Sequence, residues 1–218
     1  WAKTADTTYK GEFNSSQRVD VLAARPEMVV LWAGYPFSME YYTPRGHKHA
    51  IEDMNEILRT GSPGVNGNKD IQPGTCWTCK SPDVPRVMKE KGIAEFYKAP
   101  WSQWGSEIVN TIGCSDCHDA RTMNLKPARP ALFEAFARRG EDVSQQSHQH
   151  MRSLVCAQCH TEYYFKGEGK YLTFPHDKGF TVEDIEAYYD EMNYSDYTHK
   201  LSRAPILKAQ HPDYELWR

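Results

Sequence analysis

The chain has 218 residues, with 26 Lys and Arg against 29 Asp and Glu, and a formal net charge of −3 that argues against a nucleic-acid partner. A mean hydropathy of −0.73 and a longest apolar run of ten residues, 28–37, argue against a membrane protein, since a spanning helix needs about 20. Six cysteines are too sparse for a disulfide-stapled miniprotein, and no signal peptide precedes Trp1, so any export signal is expected to have been removed or to lie outside this sequence.

In chain order, residues 1–14 read as an irregular arm. Ser15 and Ser16 offer an N-cap for a helix to Leu22, and Pro26 interrupts before the apolar run. Apolar spacing predicts a helix over 47–59, with Ile51, Met54, Ile57 and Leu58 on one face and Gly61 as its stop. Residues 61–75, GSPGVNGNKDIQPGT, have the composition of a surface loop. A short helical lead is expected over 107–112. Pro130 and Gly140 frame a helix over 130–139, and another over 144–155 runs toward Cys156. Thr181 and Asp184 form a capping box for a helix reaching Met192, with Ile185, Tyr188 and Met192 inward. No stretch alternates strongly enough to demand a sheet. The expected class is mainly α, with long loops, one or two small hairpins and little β.

The six cysteines form three C-x-x-C units: Cys76 with Cys79, Cys114 with Cys117, and Cys156 with Cys159. Lys80, His118 and His160 follow them. C-x-x-C-H is the attachment signature of a c-type haem: two thioethers hold the porphyrin edge and the histidine ligates the iron. Zinc ribbons also pair such units, with about 15 to 20 residues between pairs, whereas here 34 and 38 residues intervene. Redox dithiols would need a βαβ pattern that is missing. An apolar fraction of 39% with 12% aromatics suits a core completed by porphyrin.

Lys80 stands where histidine is expected. Either the motif is degenerate or Lys80 supplies the proximal nitrogen. An amine ligates only when neutral, so the site must depress its pKa. That cost is intelligible at a catalytic haem, whose axial ligand tunes the iron, with His118 and His160 marking relay haems.

At this point the chain closely resembles ammonia-forming cytochrome c nitrite reductase. The likeness is carried by CWTCK (76–80), the two C-x-x-C-H units, LWAGYPF (31–37), PRGH (44–47), LRTG (58–61), CHTEYYF (159–165) and KAQHP (208–212). These blocks run in family order from about residue 16 to 214. The resemblance implies a multihaem cytochrome c fold, helices and long loops wrapped around covalent haem, over 1–218. It implies six-electron reduction of nitrite at the Lys80-ligated haem. Arg59, Tyr163 and His211 are its implied distal residues, and His47 the distal ligand of the His160 haem. Arg59 would hold the anion, His211 would donate protons, and Tyr163 would donate a hydrogen bond or assist delivery. Taken singly, Arg59 could be a last-turn arginine, Tyr163 a packing residue and His211 a surface histidine. Calcium is implied at the Glu162 and Gln210 side chains and the Tyr163 and Lys208 carbonyls, all oxygen donors suited to a hard cation. His148 and His150 read as exposed residues of a polar segment, not ligands.

The family carries five haems and this sequence three, so it reads as the N-terminal part of a longer chain. The distal ligand expected for the His118 haem lies in the part not present. The family implies a homodimer, a quinol-oxidising membrane cytochrome or soluble multihaem protein as electron donor, and the periplasm, where c-type haem is attached. A multihaem electron carrier, or a reductase of another nitrogen or sulfur oxyanion, are the competing functions.

Overall fold

The computed structural model describes residues 17–58 and 72–218. The expected arm, the Ser15–Ser16 cap, Arg59, Gly61 and most of the 61–75 loop lie outside the described residues. Where described, the chain is mainly helical, with two small antiparallel hairpins.

The first helix starts later than expected. Residues 18–20 are extended, with Val19 and Thr43 exchanging hydrogen bonds and Asp20 bridging Tyr42. Asp20 is the effective N-cap, accepting from Ala23 N at 3.0 Å, and α1 spans Val21–Ala24. After Pro26, α2 (Met28–Leu31) exposes Val29, Val30 and Leu31 at 44%, 57% and 56%, so the first half of the apolar run is not core. Its aromatic second half packs: Trp32 meets Phe37 at 5.5 Å, and Tyr35 meets Tyr197 at 4.7 Å between ring centroids.

A 3₁₀ turn at His47–His49 leads into α3 (Ala50–Glu56). The α-helix is shorter than the predicted 47–59: Ile51 packs against the core and Met54 is buried on its face, while Ile57 is buried from an extended C-cap beyond its end. Arg18 and Arg45 converge on Asp53 at 2.9 and 2.6 Å. The first cysteine pair rides on a 3₁₀ turn, Gly74–Trp77. Two helices follow that periodicity over 84–98 encoded but the sequence reading missed: α4 (Val84–Lys91) and α5 (Ile93–Lys98), breaking at Gly92 with φ +91°. They bury Val84, Val87, Met88, Phe96 and Tyr97. Trp104 stacks on Phe96 at 5.5 Å and donates its indole N–H to the Phe96 carbonyl. These side chains, with Trp77 and Trp101, make the centre of the main core.

The expected helical lead over 107–112 does not form. Asp83 accepts the Val109 and Asn110 amides at 3.0 and 2.9 Å, holding the segment in an irregular course. The second pair lies on a 3₁₀ turn, Cys114–Asp116. Helix α6 (Pro130–Arg138) has its predicted frame, Pro at its first turn and Gly140 at φ +75°. Helix α7 (His148–Ala157) starts at a Ser147 cap rather than at 144, since Val143–Gln145 makes its own 3₁₀ turn; it delivers Cys156 in its last turn. Strands β1 (Tyr164–Lys166) and β2 (Tyr171–Thr173) pair as a hairpin. Helix α8 (Val182–Glu191) carries the predicted Thr181–Asp184 capping box. Tyr188 is buried, but Met192 is 40% exposed because the helix has ended. Strands β3 (Tyr197–Thr198) and β4 (Pro205–Ile206) pair, and α9 (Asp213–Trp217) completes the described chain. Among the described residues no helix is long and apolar enough to cross a membrane.

Candidate haem and substrate site

Three local structures present the cysteine pairs. Trp77 anchors the first by donating its indole N–H to Trp101 O at 2.8 Å, while Thr75 reaches Lys170 O at 2.6 Å. The second is framed by Asp116, whose carboxylate takes the Gly113 amide at 2.9 Å. The third ends α7. All six cysteines are unbridged. The Cys79 and Cys159 thiols are close enough to act on each other electrostatically, and Cys117 Sγ lies 3.9 Å from Val155 O. The second cysteines of the first and third units thus lie near each other, and that of the second unit lies beside the last turn of α7.

The motif histidines suit haem ligation. His118 Nδ1 meets Met123 O at 2.8 Å, and His160 Nδ1 meets Asp213 Oδ2 at 3.0 Å. Anchoring Nδ1 leaves Nε2 for a metal, as ligating histidines require. The ring centroids of His47 and His160 stand 6.0 Å apart. Two imidazoles on opposite sides of one metal, each with a bond of about 2 Å, need a separation of that size. Burial first, then the His160 charge, lower the pKa of His47, which favours the neutral ring a metal takes. One further atom fits a bound anionic group: Arg129 Nη1, buried beside the first motif with no acceptor.

Tyr163 and His211 come together. Their rings stack at 6.4 Å with 17° between planes, and His211 meets His160 edge-on at 5.9 Å. Desolvation on its inner side, followed by the positive charges of Lys80 and His160, lowers the His211 pKa to about 4. Burial pushes the Tyr163 phenol well above its ordinary value. Lys80 is half-buried and close enough for its charge to act on His47, His211 and Cys79. Arg59 lies outside the described residues. His160, His211 and Asp213 bring their ligand atoms within 4.8 Å of one another, and the cluster is part of this site.

The four residues assigned to calcium also converge. Glu162 Oε2 accepts the Gln210 amide at 2.6 Å, and Lys208 Nζ donates to Gln210 Oε1 at 3.1 Å. Asp196, which the sequence reading missed, accepts the Lys208 amide at 2.6 Å and the Gln210 side-chain amide at 3.3 Å. Burial raises the pKa of both carboxyl groups, that of Glu162 to about 7, and the Asp196 charge adds to the rise at Glu162. Two partly desolvated carboxylates, with the Gln210 side chain beside them, offer oxygen donors of the kind a hard cation takes.

Two corrections concern histidines and braces. His148 is exposed as expected, but His150 is not: it is half-buried, with Gln146 Oε1 and the Tyr214 hydroxyl 2.8 and 2.9 Å from its ring nitrogens. Glu215 Oε1 binds Thr161 Oγ1, the Glu162 amide and His176 Nε2 at 2.6, 3.0 and 2.7 Å. That carboxylate ties 161–162 to α9. Only the proximity of Glu215 to the KAQHP block could have hinted at it.

The Cytochrome c552 family profile matches residues 1–218. A cytochrome c-552 of Porphyromonas gingivalis is 67% identical over 99% of this chain, and that of Aliarcobacter butzleri 48% identical over 97%. The chain spans 43% and 44% of those relatives' lengths. Among solved structures, cytochrome c nitrite reductase from Desulfovibrio desulfuricans ATCC 27774, whose catalytic subunit has two calcium sites, superposes with a TM-score of 0.78 at 36% identity. That likeness covers 86% of this chain and 42% of the other. With the profile running the whole length and a relative 67% identical over nearly all of it, the chain belongs to the cytochrome c552 family.

Proposed function

We propose that this region reduces nitrite to ammonium at a c-type haem held by Cys76 and Cys79 and ligated by Lys80. Haems at Cys114 with Cys117 and at Cys156 with Cys159 would relay electrons, the last ligated by His160 and His47. The observation that carries the reading is the stacked Tyr163–His211 pair lying within the electrostatic reach of Lys80. The nitrite reductase likeness at 36% identity supports the substrate.

When bound, a haem held by Cys76, Cys79 and Lys80 would supply a redox-active iron able to accept the anion and deliver electrons. The protein's side chains do the rest. Nitrite with six electrons and eight protons yields ammonium and two waters, so proton supply is as demanding as electron supply. His211, neutral at physiological pH, hydrogen-bonds the substrate oxygens and passes protons arriving from solvent. Tyr163, held protonated, donates its hydroxyl hydrogen to the same oxygens. Arg59 provides the fixed positive charge for the anion. Calcium at Glu162, Tyr163, Lys208 and Gln210 would lock Tyr163 and His211 in mutual register. A quinol-oxidising membrane cytochrome or a soluble multihaem protein would supply electrons in the periplasm, with a homodimer as the assembly.

The test is electron paramagnetic resonance of the holoprotein, with nitrite turnover driven by a viologen donor. A high-spin haem signal that nitrite perturbs, together with ammonium production, is expected. Low-spin signals alone with no turnover would overturn the proposal in favour of an electron carrier, and turnover of sulfite in place of nitrite would change the substrate.

A further inference from the structure

Each cysteine pair has one residue immediately before its second cysteine: Thr78, Asp116 and Gln158. None is needed for haem attachment, yet all are buried, at 0%, 3% and 1% exposure. Between them lies Arg129, itself fully buried. Its Nε donates to Thr78 O at 2.7 Å, and its Nη2 donates to Ser81 O at 2.8 Å and to Asp116 Oδ1. Gln158 closes the ring. Its Oε1 accepts the Ala128 and Arg129 amides at 2.8 and 3.2 Å, and its Nε2 donates to Asp116 O at 2.6 Å and Val155 O at 2.9 Å.

This connection is unusual in cost and reach. A buried guanidinium needs its charge met and most of its donors paired: here Nε and Nη2 find partners at the first two motifs, Nη1 alone has no acceptor, and the third motif holds the backbone. The contacts span 51 and 13 residues from Arg129 backward and 29 forward in sequence. A planar fork with fixed donor directions sets angles as well as distances, which a flexible lysine does not. Pro130 at the first turn of α6 pins the backbone from which the side chain springs.

We propose that Arg129 is the positioning residue that holds the three haem-attachment motifs in one fixed mutual arrangement, joining Thr78, Asp116 and Gln158, and so sets the geometry of the electron relay. It rests on the reading of the three cysteine pairs as haem sites. Arg129 touches no substrate; it acts through the motifs it joins. A substitution at one motif is therefore felt at the other two.

The test uses the holoprotein as expressed from its own gene. Peptide mass spectrometry first counts haem on the three cysteine pairs; if wild-type protein carries none there, the haem reading itself fails. With haem in place, Gln158→Met and Arg129→Lys are compared with wild type by potentiometric titration and by the spin-coupling pattern in paramagnetic resonance. Gln158→Met conserves charge and approximate volume, and Arg129→Lys conserves charge. Both are expected to retain three haems while shifting the signals of the haems on the first and second motifs as well as the third, and inter-haem reduction should slow. If Gln158→Met alters the third-motif haem alone and Arg129→Lys leaves every potential and coupling at its wild-type value, the positioning role is overturned. If either variant fails to accumulate, Asp116→Asn with Arg129 intact gives the same reading: an altered coupling pattern across all three motifs supports the hub, and a uniform electrostatic shift with unchanged coupling refutes it.

Discussion

His211 and Glu162 show how burial decides what a residue can do. His211 keeps 49% of its side chain open, yet desolvation of its inner side and the nearby Lys80 and His160 charges lower its pKa to about 4, so in the proposed reaction it would act as a neutral donor and relay and not as a stored imidazolium. His211→Ala and Arg59→Ala should each lower nitrite turnover by about 100- to 10,000-fold while leaving haem absorption spectra unchanged; steady-state assays with near-wild-type rates would remove both from the reaction. Glu162 gives a pH prediction. Its folded pKa near 7 stands above the unfolded carboxyl value of about 4.3. Protons are therefore held more tightly in the folded, metal-free state, and its stability contribution is complete below the unfolded pKa and lost as pH rises through about 7. A bound cation reverses this by favouring the carboxylate. The thermal stabilisation given by calcium should grow from about pH 5 to pH 7.5; calorimetry showing a pH-independent shift, or one larger in acid, would exclude Glu162 from the ligand set.

Elements differ in how openly the sequence announces them. The 181–192 helix was legible because Thr181 and Asp184 cap it locally, and Thr181→Ala should cost about 1 kcal/mol in thermal unfolding. The 107–112 lead was misread because its fate is decided by Asp83, some 26 residues earlier, and no local signal reports that competition. The two helices over 84–98 were passed over although Val84, Val87 and Met88 carry helical spacing. Among site residues, the motifs named Lys80, His118 and His160 outright, while Asp196 and Arg129 matter only through distant partners and so had no signature. Gly74 is a case where the element's reason appears only in three dimensions. It opens the first cysteine turn with its amide on Ala99 O at 2.6 Å, and a Cβ there would run into the Phe96 carbonyl and meet Trp104 Nε1 at 2.6 Å. Neither a backbone carbonyl nor a stacked tryptophan can yield cheaply. Gly74→Ala should cost about 1–3 kcal/mol, read as a lower unfolding midpoint of the holoprotein.

At the scale of the molecule, side chains close the core around the first cysteine pair and not around the second. Trp77, Trp101, Trp104, Phe96 and Tyr97 are each at most 4% exposed and sit in the main core, so side-chain packing anchors the segment 72–106. Around the second pair, Cys114 is exposed, and Val109 and Met123 stand 67% and 59% open. Apolar groups left open beside a haem-attachment motif are groups that a covalent porphyrin would cover. Local stability should then depend on haem unevenly, since segments with few buried apolar contacts open first. Replacing Cys114 and Cys117 by serine removes attachment at that motif while altering little side-chain volume. Limited proteolysis of the holoprotein carrying these changes should show new cleavage within 107–128, with 72–106 resistant as in wild type. The Arg129 grip on Asp116 confines the opening to the flanks of the turn. Equal protection in both proteins would mean that side chains alone hold the second motif, and the porphyrin would then have no part in closing this side of the core.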